Sequence, residues 1–146
     1  MQQQSHELTA LEGSWRAPSY EHARVSDAMR AGVIGCPPDA SLRTVARMMA
    51  ANHVHSVVVT AGGDAPVAVL SEPELLAAVG PGAEERTAES LAVDPITVAM
   101  DDPISRAVEL MLEHGVTHLL ALDVGGRAIG VISALDVAGV LAWGEA

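Results

Sequence analysis

The stretches DASLRTVARMMAANHV (residues 39–54) and DDPISRAVELMLEHGV (101–116) carry one pattern twice, 62 positions apart. In the first, Leu42, Val45, Ala46 and Met49 recur at helical spacing; in the second, Ile104, Ala107, Val108 and Met111 do the same. Ser41 stands where an N-cap belongs and Asn52 where the helix should end. Asp102 and Pro103 occupy the corresponding opening of the second helix, and Gly115 supplies its left-handed exit. Each stretch therefore predicts a helix of about three turns.

The match extends outward on both sides without a gap. VSDAM (25–29) lies over TAESL (87–91), and GDAPVAVLSEPE (63–74) lies over residues 125–136. This sets Gly63 on Gly125, Val69 on Val131, Ser71 on Ser133 and Glu74 on Asp136. After each helix come two short β-branched runs, 54–60 then 66–70, and 116–122 then 127–132, separated by AGGD and DVGG; each pair predicts a hairpin. A second helix starts at Ser71 or Ser133, and the extended pieces VIGC and PITV precede the first helix of each copy. The unit is strand, helix, strand, strand, helix.

One such unit leaves a face of its small sheet wet, because helices cover only the other side. The expected fold is α+β: two tandem β-α-β-β-α repeats packed sheet to sheet about a pseudo-twofold axis. The expected boundaries are 23–82 and 83–146, jointed at Gly80-Pro81-Gly82, with 1–22 as a polar tail carrying at most one amphipathic turn.

Composition narrows the function. A formal charge of -11 argues against nucleic acid or an anionic membrane as partner. Cys36 is the only cysteine, which excludes an internal disulfide or a thiolate cluster and suits a reducing cytoplasm. The opening MQQQSHELTA lacks the basic and apolar regions of a signal peptide, and no apolar run approaches the roughly 20 residues of a membrane span. With 49% hydrophobic residues but only 2% aromatics and no Phe, the core must be aliphatic.

GVISALD (130–136) resembles the closing motif of the cystathionine-β-synthase-type (CBS) repeat: Gly, two apolar residues, Ser or Thr, two variable positions and Asp. AVLSEPE (68–74) is a weaker version, with Ala68 for the Gly and Glu74 for the Asp, and VSDAM resembles the family's short opening helix. The resemblance, to a stand-alone CBS pair or Bateman module, covers residues 23 to 142. It implies a regulatory module that senses AMP, ADP, ATP, NAD or S-adenosylmethionine between its repeats, needs no cofactor, catalyses nothing and forms a flat homodimer. By the same resemblance Asp136 would hold the ribose hydroxyls, Ser133 the phosphate or ribose side, and the main chain of Ile96, Thr97 and Val98 the adenine edge. In the other half the set would be Ser71, Glu74 and Ile34 to Cys36.

A carboxylate at a helix N-terminus stays ionised and can hold a cis-diol by charge-assisted bonds. The family's basic residue before its Leu-Pro-Val-like run is missing from VHSVVV and VTHLLAL, which favours a neutral or monophosphorylated ligand. Arg43, Arg106 and Arg127, with His55 and His118, are the basic candidates for the clefts. Ser-x-x-acid is equally a capping box that needs no ligand. A ligand-free scaffold for dimerisation, or for docking on another protein, is therefore the competing reading. His53-x-His55, with His114 and His118, has no carboxylate or thiol at fixed spacing and does not define zinc. Cys36 reads as a small buried hydrophobe.

Overall fold

The computed structural model describes residues 17–145, apart from 63–65 and 67. Gly63, Asp64, Trp15 and the proposed amphipathic turn of the tail lie outside the described residues.

Chain order in the first half is β1 (Ala17–Pro18), α1 (Val25–Ala28), β2 (Arg30–Ala31), β3 (Gly35–Cys36), α2 (Leu42–Asn52), β4 (Ser56–Val59), β5 (Ala68–Ser71) and α3 (Glu72–Ala78). A 3-10 turn (Ala83–Glu85) leads into α4 (Ala88–Leu91), β6 (Thr97–Ala99), α5 (Ile104–His114), β7 (His118–Leu122), β8 (Ala128–Ser133), α6 (Ala134–Trp143) and β9 (Gly144–Glu145).

The long helices form where the apolar spacing places them. The Ser41 hydroxyl accepts the Thr44 amide at 3.1 Å, and α2 ends at His53 in the left-handed region (φ 52°). Gly115 closes α5 at φ 64° without the steric cost that a β-carbon brings to His53. Leu42, Val45 and Met49 bury one face of α2, and Ile104, Ala107, Leu110 and Met111 one face of α5.

Two sheets carry the repeats, β3-β4-β5 and β2-β8-β7-β6. Strand β2 thus belongs by sequence to the first repeat and by hydrogen bonding to the second, where Arg30 pairs with Val131 and Ala31 with Gly130. The reverse exchange is a single bridge, Val93 to Val69, with amide-carbonyl bonds of 2.8 and 2.9 Å. The opening helices cross over too. Val25 packs in a core with Val98, Ile104, Leu119 and Ile132, while Ala88 packs with Cys36, Val45, Val57 and Leu70.

The exchange corrects the gapless alignment. Arg24 bridges Pro103 and Ser41 bridges Thr87, so Ser41 and Pro103 are equivalent at 62 positions but Arg24 and Thr87 at 63. Likewise Arg30 corresponds to Val93, whereas Gly35 and Thr97 share equivalent partners, Val58 and Leu120, at 62. The first repeat holds one extra residue between β2 and β3. Gly32, with φ 93° and open space around its α-carbon, is the position best able to absorb it.

Residues 17–22 also depart from a free tail. Ala17 and Pro18 pair in parallel with Gly144 and Glu145, and Tyr20 packs against the second repeat's core.

Candidate functional site

Helix α6 starts at a reciprocal cap. The Ser133 amide and hydroxyl donate to Asp136 Oδ2 at 2.8 and 3.0 Å, and the Asp136 amide donates back to Ser133 Oγ at 3.3 Å. Asp136 Oδ1 is left over, its nearest cation being Arg30 Nε at 4.0 Å. The side chain of Asp136 is only 13% exposed, that of Arg30 70%. Capping and ligand binding therefore do not compete for the carboxylate, because a different oxygen is available to each.

Asp136 and Ser133 line an open cleft of about 620 Å³. Its other wall is the segment Arg30 to Ile34 together with the exit of α2, Asn52 to Ser56. Val33, Ile34, Val54, Val58 and Val131 give it apolar surface suited to a flat base, and polar groups come from Arg30, from His55 and His118, and from the α6 cap.

A second cleft, about 450 Å³, is the pseudo-symmetric partner and is lined by Ser71, Glu74, Val93, Asp94 and Ile96 among others. Here the Ser71 amide and hydroxyl donate to Glu74 Oε1 at 2.8 and 2.6 Å.

The packing of the two repeats regroups the expected sites. Sequence reasoning joins Ser133 and Asp136 to Ile96, Thr97 and Val98, and Ser71 and Glu74 to Ile34 and Cys36. In the structure Ile34 stands with Ser133 and Asp136, and Ile96 with Ser71 and Glu74. The cause is physical: the Ile34 and Ile96 carbonyls stay on their own repeats' sheets, accepting the Val58 and Leu120 amides at 2.8 and 3.1 Å, and each cleft opens where that edge faces the capped acid of the other repeat. Thr97, Val98 and Cys36 line neither cleft. Val98 and Cys36 point into the two cores, and burial raises the Cys36 pKa, which keeps the thiol protonated.

His55 and His118 line both clefts, their ring centroids 5.2 Å apart, and His55 Nδ1 lies 3.1 Å from Glu72 Oε2. Burial first, then the neighbouring His55, lowers the His118 pKa below its ordinary value, with Glu72 and Asp136 opposing. Among the described residues no group of three or more His, Cys, Asp or Glu is arranged to hold a metal ion.

Arg43, Arg106 and Arg127 do not turn toward either cleft; they pair with Glu84, Glu109 and Asp123 at 2.9, 3.1 and 3.1 Å. Sequence reasoning missed Arg30. The signal available was the alignment of AMRAGVI with SLAVDPI, which improves by one inserted residue and sets Arg30 opposite Val93 in an edge strand.

Two crossed-over repeats with a capped acid at each seam match the CBS domain model, over residues 25–80 and 89–142. The chain belongs to the CBS domain family and carries two of its domains. It is similar to a CBS domain protein of Pyrobaculum aerophilum solved in complex with AMP, at 32% identity and TM-score 0.74, covering 82% of this chain and 98% of that one. The CBS domain pair of protein MJ0100, solved with 5'-methylthioadenosine and S-adenosyl-L-methionine, shares the fold at 15% identity and TM-score 0.74, covering 82% and 96%. An uncharacterized protein of Methanopyrus kandleri is 29% identical over 117 residues, 77% of this chain; the chain spans 60% of that relative's length.

Proposed function

We propose that this CBS pair is a regulatory module that binds an adenosine-type small molecule in the cleft closed by Ser133 and Asp136, and acts by binding rather than by catalysis. The observation that carries the reading is the divided carboxylate of Asp136: one oxygen secures the helix cap, and the other remains beside an open cleft with apolar walls. A ribose diol donates to such an oxygen by charge-assisted bonds, and the valine and isoleucine side chains bury the base. The AMP in the 32% identical neighbour supports this ligand class.

The module works as a homodimer in the cytoplasm. Leu76 on α3 and Leu135 and Leu141 on α6 are 71%, 71% and 68% exposed, an apolar surface suited to a second copy. Leu135 also lines the larger cleft, so a ligand there shares a helix with the contact surface. Among the described residues no helix is long and apolar enough to cross a membrane.

Thermal unfolding with AMP, ADP, ATP, NAD and S-adenosylmethionine tests the proposal. A ligand at a hundred times its Kd adds about 2.7 kcal/mol to stability, enough to raise Tm by several degrees. No shift with any of them at millimolar concentration leaves only the scaffold reading, dimerisation or docking on an unknown protein without a ligand.

A further inference from the structure

The two clefts are related by the pseudo-twofold axis but not by charge. At the position where β2 brings Arg30 and Ala31 to the larger cleft, the equivalent bridge brings Val93 and Asp94 to the smaller one. The larger cleft is lined by Arg30 against the carboxylates of Glu72 and Asp136. The smaller is lined by Glu72, Glu74 and Asp94, with no Arg or Lys among its lining residues. A phosphorylated nucleoside entering the smaller cleft meets three carboxylates and no fixed cation, an arrangement that rejects anions.

Arg30 is well placed to meet a phosphate. Its guanidinium is held by one long ion-pair contact, 4.0 Å to Asp136, and is mostly solvent-exposed, so it can pivot while the carboxylate takes the ribose. The other arginines that could compete are already paired on the outer surface.

We infer that the protein binds one phosphorylated nucleoside per chain, in the Asp136 cleft alone, and that Arg30 is the residue that distinguishes a nucleotide from a nucleoside. The inference rests on the adenosine-type reading above and adds stoichiometry and charge selection. It makes the two repeats unequal in duty: the first supplies Arg30 through its exchanged strand, the second supplies the cap that holds the ribose.

Calorimetric titration of the whole chain with AMP and, separately, with adenosine tests it. The wild type is expected to bind one AMP per chain and to bind adenosine more weakly. Arg30→Ala should weaken AMP by about tenfold or more, since a bond to a charged group is lost, and leave adenosine unchanged. Raising the salt concentration should erode AMP affinity in the wild type and have little effect in Arg30→Ala. Two AMP per chain, or an Arg30→Ala chain that keeps its full preference for AMP over adenosine, overturns the inference while sparing the adenosine-type reading. Binding of neither compound at millimolar concentration overturns both. Arg30→Lys separates charge from shape: it should retain most of the AMP preference if phosphate charge is what Arg30 reads.

Discussion

Gly130 lies beneath the main-chain carbonyl of Arg30 so closely that a β-carbon at position 130 would collide with it, and would press on the sulfur of Met29, 3.2 Å away. The absence of a side chain lets β2 lie on β8 in two paired positions. In the first repeat the equivalent residue is Ala68, and there the exchanged segment makes a single bridge, at Val69, and no second pair at Ala68. The second pair rests on the Gly32 amide, which donates to the Ile129 carbonyl at 2.7 Å; the equivalent residue in the other repeat, Pro95, has no N–H to donate, so a point contact is all that forms there.

Gly130→Ala is therefore expected to push β2 off β8 and to cost about 1–3 kcal/mol, as overpacking against backbone does. Gly139→Ala is the contrast, because a β-carbon in α6 at that position meets nothing within 4 Å. There the gain of a better helix former should stabilise by roughly 0.5–1 kcal/mol. Chemical denaturation of the two variants checks both signs.

Ser133→Ala removes a reciprocal cap and is expected to lower stability by about 1 kcal/mol. Asp136→Asn retains much of the cap geometry but loses the ionised oxygen beside Arg30, so its loss of ligand affinity should exceed its loss of stability. Melting curves with and without AMP separate the two effects. Equal losses would reduce the Ser-x-x-Asp motif to a cap.

Much of the fold was legible along the chain. Ser41, Ser71 and Ser133 mark helix starts, Gly115 a helix end, and the β-branched runs the hairpins, because caps, periodicity and turns are local. What was not legible is tertiary. Strand β2 has two residues, too few to show a period, and nothing in Arg30 or Ala31 says which sheet they join. The exchange hid Arg30 altogether, and the way the two repeats face each other set Ile34 and Ile96 beside the opposite acids from those expected. The acids and serines stayed where predicted because a cap is fixed by its own helix.

The lowered pKa of His118 makes stability depend on pH in a definite direction. The folded chain resists protonation at His118 while the unfolded chain accepts a proton near the ordinary value of 6.5. His118 thus imposes no penalty well above pH 6.5, and stability falls as pH descends through that value toward the lower folded pKa. Tm measured between pH 7.5 and 5.5 should drop in the wild type and drop less in His118→Gln. Equal slopes would show that other groups govern the dependence.

The exposed leucines predict assembly. Leu141→Glu should convert a dimer to a monomer in sedimentation velocity without changing the fold, because the side chain is 68% exposed within one chain. A wild type that sediments as a monomer at high concentration removes the proposed role of α6 as a contact surface.

In the function proposed for this CBS pair, the cleft closed by Asp136 and edged by the exchanged strand is the one that receives an adenosine-type ligand. Amide chemical shifts of the isotope-labelled chain titrated with AMP test it most directly. The changes are expected to concentrate at Arg30 to Ile34, His55 and Ser133 to Asp136, leaving Asp94, Ile96 and Glu74 little altered. Shifts centred on the smaller cleft, or an unchanged spectrum at saturating AMP, would contradict it.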